Sequence, residues 1–281
     1  MAGASGMEFD HCRDLAIVPG SVFEFTSRFL SADELEPRLA LYALRQAVST
    51  IPYGLVDDSV KWTKLKWWGE ELIAAPDAAS RHPVLRALWQ SGARTQLDDA
   101  LLLRMVGDAL SEIDVAPPGH ESDLFERQAA LGATGILLEL ALDDAEVDTQ
   151  SLDFLGAATG LFQLISMFSV KQVLEAARLP LSLLAKHSIT AEQLEQKSHV
   201  AELVQITQQL SDLALEWYSK GMSGLDSGLN PPVFKHLRLR WAMEERRLNA
   251  IRRDARGFLE ESKSFGPADA WFAWRFLRRL G

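Results

Sequence analysis

Between Ala40 and Pro52 the chain reads ALYALRQAVSTIP, with apolar residues at Ala40, Leu41, Leu44, Ala47, Val48 and Ile51. Steps of three and four residues put these side chains on one face of an α-helix. The stretch SADE at 31–34 has capping-box spacing and Pro37 suits a first helical turn, so a helix is expected from about 36 to 51. Asp58 can cap a second helix carrying VKWTKLKWWGEELIAA, and a short one follows through HPVLRALW. Three longer helical patterns come next: TQLDDALLLRMVGDALSEI, SDLFERQAALGATGILLELAL and QSLDFLGAATGLFQLISMFSVKQVLEAA. In the last two, Gly132, Gly135, Ala157, Ala158 and Gly160 would let another helix or a ligand approach the backbone closely. A second capping box, TAEQ at 190–193, precedes helices through SHVAELVQITQQLSDLALEWYSKGM and from about Pro232 to Phe258. The chain closes on a basic aromatic helix, PADAWFAWRFLRRL. No window alternates apolar and polar residues with period two, so the expected class is all-α.

Composition narrows this picture. A length of 281 residues with 47% hydrophobic content supports a large buried core. No linker and no internal repeat interrupts the helical pattern, which predicts one domain over 10–281 after a disordered stretch at 1–9. The lone cysteine, Cys12, cannot form an internal disulfide and suits a reducing compartment. Neither a leader-like N-terminus nor a long apolar run is present, so the expected location is cytoplasmic, with peripheral contact at the inner face of a membrane. The net charge of −10 is distributed unevenly: residues 1–234 carry −16 and residues 235–281 carry +6. An acidic body with a basic aromatic end excludes general nucleic-acid binding and leaves an acidic partner or membrane surface as a candidate for that end. There Arg275, Arg278 and Arg279 stand beside Trp274. The aromatics at 271, 272, 274 and 276 are not confined to one helix face, so some should cover the body.

Motif chemistry is sparse. Phosphate-binding glycine loops, HExxH, CxxC pairs and GxSxG are all missing. The six histidines, at 11, 82, 120, 187, 199 and 236, form no ligand pair on one helical turn. Asp143 to Asp148, DDAEVD, lacks the glycine and terminal glutamate of a calcium loop and reads as a solvated connection. The doublet Glu244 and Glu245 reads as a solvated helix face.

Several segments together resemble the squalene/phytoene synthase family, all-α enzymes that join two prenyl diphosphates head to head. HCRDLA followed by RLALYALRQ resembles the family's opening stretch and its R.ALYAFCR helix, and KLKWWGEEL with HPVLRALW resembles the next two segments. LGATG at 131–135 resembles the Ala-Gly-x-x-Gly helix, while ATGLFQL and ARLPLSLLAKHSITAEQL resemble the second-motif helix and the turn after it. The resemblance implies an isoprenoid-synthase helical bundle around a central cavity. It also implies two aspartate-rich motifs on facing helices, where Mg²⁺ bridges carboxylates to diphosphate oxygens.

Those motifs are missing. The first falls on Val48, Ser49 and Pro52, and the second within Ser166 to Gln172, with no carboxylate in either stretch. Ala109 stands where the family places an arginine, and Glu126 where it places a tyrosine, while Gln163 is kept. Among relatives, YALRQAVSTIPYGLVDDSVKWTKLKWW resembles the non-catalytic branch that includes mitochondrial complex I assembly factors. The leading expectation is therefore a non-catalytic protein without cofactor or metal, binding an isoprenoid or lipid-like ligand or a protein partner. Leu41, Leu44, Val48, Gly132, Gly135, Gly160, Gln163 and Met167 would line its cavity. A second expectation is a divergent prenyl transferase whose Mg²⁺ is held by Asp57, Asp58, Glu70 or Glu71. In a third, Leu41, Leu44, Val48, Phe162, Met167 and Phe168 simply fill the old cavity.

Overall fold

A computed structural model describes residues 4–74, 82–168, 178–195, 199–225, 234–261 and 264–280. All the regular structure among them is helical: α1 (Ala4–Ala16), α2 (Val22–Thr26), α3 (Ala32–Ser49), α4 (Asp58–Ala74), α5 (Pro83–Gln90), α6 (Ala93–Gln96), α7 (Asp99–Ser111), α8 (Glu121–Leu142), α9 (Thr149–Ser166), α10 (Leu181–Lys186), α11 (Ala191–Glu195), α12 (Val200–Leu225), α13 (Lys235–Arg253), α14 (Ala255–Glu260) and α15 (Pro267–Leu280). None of these helices is long and apolar enough to cross a membrane. The expected start of a helix at Pro232 lies outside the described residues.

Two expected boundaries shift. The helix expected from 36 begins at Ala32, because Glu34 reaches back to the Ser31 amide at 2.9 Å and also accepts from the Ser31 hydroxyl at 2.7 Å. Pro37 consequently sits inside α3 rather than in its first turn. Of the stretch 1–9 expected to be disordered, 4–9 form the start of α1 and 1–3 lie outside the described residues. Packing orders it: Glu8 is buried against the Arg86 guanidinium at 3.1 Å, and Phe9 and Cys12 join the core.

The chain forms two compact units. The first comprises Met1–Val115 and Thr134–Glu146, the second Ala116–Ala133 and Val147–Gly281, so the two halves of α8 belong to different units. In the first unit α1 packs on α3 and α5, and α4 packs on α7. Leu65, Trp68 and Leu72 form the inward stripe of α4 and meet Leu41, Leu44, Val48, Leu88 and Leu102 in one core. Cys12 lies in this core, where burial first and Glu8 second push its thiol up to about 12, so it is inert as a nucleophile.

In the second unit α9 packs along α12, α12 along α13, and α13 along α15. Small residues permit the closest approach. A side-chain carbon at Gly132 would stand 2.6 Å from the Gly156 carbonyl carbon, and one at Gly156 would stand 2.7 Å from the Ala133 amide nitrogen. Backbone therefore touches backbone where these two helices cross, which only glycine permits.

Candidate functional site

Helix α3 presents two faces in the first unit. One carries Leu41, Leu44 and Val48, each with no exposed surface, so these expected cavity-lining residues are packed core. The other carries Arg38, Tyr42 and Arg45 at i, i+4 and i+7, aligned on one side of the helix. Their partners come from α8 and the residue just past it. Tyr42 donates its hydroxyl to Glu139 Oε1 at 2.8 Å, Arg45 Nη1 donates to the same oxygen at 3.3 Å, and Arg38 Nη2 donates to Asp143 Oδ1. Phe23 stacks flat on the Tyr42 ring, and the Arg45 guanidinium lies 5.1 Å from the centre of that ring. Glu139 is only 1% exposed, so its charge depends on these donors. Gly135 makes room for them, since a side-chain carbon there would stand 2.8 Å from Arg45 Cζ.

Asp143 therefore departs from the expected solvated connection: its carboxylate is largely buried against Arg38. Asp108 on α7 accepts a hydrogen bond from the Thr134 hydroxyl. Burial nevertheless raises its pKa above the ordinary aspartate value, against the pull of Thr134 and Arg104.

A second polar knot lies in the other unit. Glu244, expected to be solvated, is buried, and its Oε2 accepts from the Tyr218 hydroxyl and from Thr159 Oγ1 at 3.3 Å. Arg240 Nε lies 3.2 Å from Glu244 Oε1. Burial and the adjacent Glu244 charge hold the Tyr218 phenol well above its ordinary value. These groups stitch α9, α12 and α13 together.

The remaining expected site residues scatter. Gly132 and Gly160 serve helix crossings rather than a cavity wall, with Gly160 against the Gln128 carbonyl, 2.8 Å from where a side-chain carbon would lie. Gln163 is exposed, Met167 half-buried, and Phe162 and Phe168 buried. Arg275, Arg278 and Arg279 are exposed on α15. A pocket of about 230 Å³ does open in the second unit, among Leu124, Leu183, Leu210, Leu213, Glu121 and Lys186. None of the expected lining residues reaches it.

Mg²⁺ requires several oxygen ligands in octahedral geometry. Val48, Ser49 and Pro52 offer no carboxylate, and Val48 is sealed in the core, so this stretch does not fit the ion. Ser166, Met167 and Phe168 offer none either, and 169–172 lie outside the described residues. The alternative carboxylates do not all reach one ion. Asp58 and Glu70 are twelve residues apart on α4, roughly 18 Å along its axis, and their neighbours are Lys61 at 2.9 Å and Lys66 at 3.8 Å. No group of three or more His, Cys, Asp or Glu side chains converges among the described residues.

Sequence reasoning missed both polar knots. The signal for the first was present, in Arg38, Tyr42 and Arg45 at i, i+4 and i+7 and in Glu139 and Asp143 four residues apart, but the partnership spans almost a hundred residues.

Comparison with known proteins fits this architecture. The chain resembles the crystal structure of squalene synthase HpnC from Alicyclobacillus acidocaldarius with a TM-score of 0.68, 19% identity, and coverage of 92% of this chain and 100% of that one. It resembles a dehydrosqualene synthase crystallised with a ligand with a TM-score of 0.69, 16% identity, and coverage of 98% of this chain and 96% of that one. No curated protein sequence matches it significantly. The family model described as squalene/phytoene synthase matches residues 19–265, and on that match the chain belongs to the squalene/phytoene synthase family.

Proposed function

We propose that this protein is a non-catalytic member of the family that acts by binding, holding an isoprenoid or lipid-like molecule or engaging a protein partner as an assembly factor would. The observation that carries this reading is the state of α3. At the position of the first metal motif, Val48 is sealed in an apolar core, and the polar residues of the same helix are already paired with Glu139 and Asp143. Ionising a prenyl diphosphate leaves charge on the departing pyrophosphate, and Mg²⁺ held by carboxylates is what neutralises it. Val48, Ser49 and Pro52 supply no such carboxylate. The resemblance of the 42–68 stretch to the assembly-factor branch supports the same reading.

Purified protein incubated with Mg²⁺ and farnesyl or geranylgeranyl diphosphate should release no pyrophosphate above the buffer rate. Sustained release in proportion to protein would overturn the proposal. Native mass spectrometry of the same preparation separates the two modes of binding, because an isoprenoid ligand adds a small-molecule mass to the chain and a protein partner adds the mass of a second polypeptide.

A further inference from the structure

The outward face of α15 is aromatic and basic. The helix docks on α13 through its other side: Ala273 is buried, Phe272 stacks with Phe276, and the Arg246 guanidinium lies 5.0 Å from the Phe272 ring centre. Asp269, the helix's only acidic residue, is used on this inner side, accepting from Arg246 Nε at 2.6 Å and from the Gly266 amide at 2.9 Å. The outer face is left with Trp271, Trp274, Arg275 and Arg278 at i, i+3, i+4 and i+7, and Arg279 beside them.

Trp271 is 58% exposed and Trp274 49%, so two of the largest apolar side chains face solvent on one short helix. Each carries a guanidinium over its ring, Arg275 at 4.6 Å from Trp271 and Arg278 at 4.7 Å from Trp274. No acidic side chain pairs with Arg275, Arg278 or Arg279 among the described residues.

We propose that this face is a docking surface for a membrane bearing anionic lipid headgroups. The chemistry matches a bilayer interface on two counts. Indole rings settle at the depth of the headgroups, where an apolar body and a polar N–H are both satisfied. Guanidinium groups beside them meet lipid phosphates through forked hydrogen bonds. The charge distribution selects the orientation. Residues 1–234 carry −16, so an anionic bilayer repels most of the chain and attracts the end that carries +6. A single convex helix face, with its tryptophans held under arginines, suits an extended interface better than the enclosing groove a nucleic-acid strand would need. The proposal stands whether or not the chain turns over a diphosphate.

Co-sedimentation of the full chain with vesicles tests it. Wild-type protein should pellet with vesicles of phosphatidylcholine mixed with phosphatidylglycerol, and not with phosphatidylcholine alone. Binding should fall by at least about tenfold in Arg275→Glu/Arg278→Glu/Arg279→Glu, weaken with added salt, and largely survive replacement of the same three arginines by lysine. Trp271→Ser/Trp274→Ser should lose the quenching of its fluorescence by brominated acyl chains. All five positions are exposed, and circular dichroism checks that each variant is folded. The proposal is overturned if wild-type protein ignores anionic vesicles, if the charge-reversed variant binds them equally well, or if single-stranded RNA or an acidic peptide binds while vesicles do not.

Discussion

At the scale of single residues, Gly132 shows how a position can be fixed by backbone alone. Alanine is about 1 kcal/mol better than glycine inside a helix, so on propensity Gly132→Ala should stabilise. Here the added carbon would meet the Gly156 backbone at 2.6 Å, and backbone cannot swing aside as a side chain does. Overpacking of this kind costs about 1–3 kcal/mol and should prevail over the propensity gain. Urea melts should show Gly132→Ala as the less stable protein. Gly107→Ala is the internal comparison, since nothing lies within 4 Å of an added carbon there and the substitution should be neutral or stabilising.

At the scale of elements, α3 and α8 are joined by charge as much as by apolar contact. Glu139→Leu would leave Arg45 beside an apolar partner and the Tyr42 hydroxyl without its acceptor. Removing one member of a buried ion pair costs about 3–5 kcal/mol, whereas replacing both with apolar groups is far milder. Thermal unfolding should therefore place Glu139→Leu alone well below wild type, Arg45→Met/Glu139→Leu between them, and Tyr42→Phe/Arg45→Met/Glu139→Leu nearest wild type. The existence and apolar faces of α3, α4 and α9 were legible in the sequence because helical periodicity is local, while the start of α3 was read four residues late. The pairing of Arg38, Tyr42 and Arg45 was not, because a charged stripe on a helix has the same pattern whether it meets water or a buried carboxylate.

At the scale of the whole molecule, the pH dependence of stability separates groups that favour opposite sides of the carboxylate range. Asp108 and Glu245 are both raised by burial, so the folded chain holds their protons more tightly than the unfolded chain does. Their protonation stabilises the fold, and that contribution is lost as pH rises through their raised values. Asp148 acts in the other direction: hydrogen bonds from the Ser151 side chain and amide lower its pKa, so its support is lost as pH falls. Asp108→Asn keeps an acceptor for Thr134 and removes the buried charge. It should melt above wild type at neutral pH, with the difference vanishing below the ordinary aspartate pKa. The family and the all-α class were readable from the order of weak segments along the chain. The residues expected around a cavity were less readable, because an apolar or small residue looks the same in sequence whether it faces a ligand or another helix.

The burial of Val48 also bears on the chain's history. An aspartate placed there would have to enter a core already filled by Leu44, Leu65 and Leu102, with no partner for its charge. A step back at Val48 would therefore cost stability before it could supply a ligand, whereas one at the exposed Ser49 would not meet that barrier. Restoring a carboxylate in place of Val48 requires repacking the neighbouring helices as well as supplying the ligand.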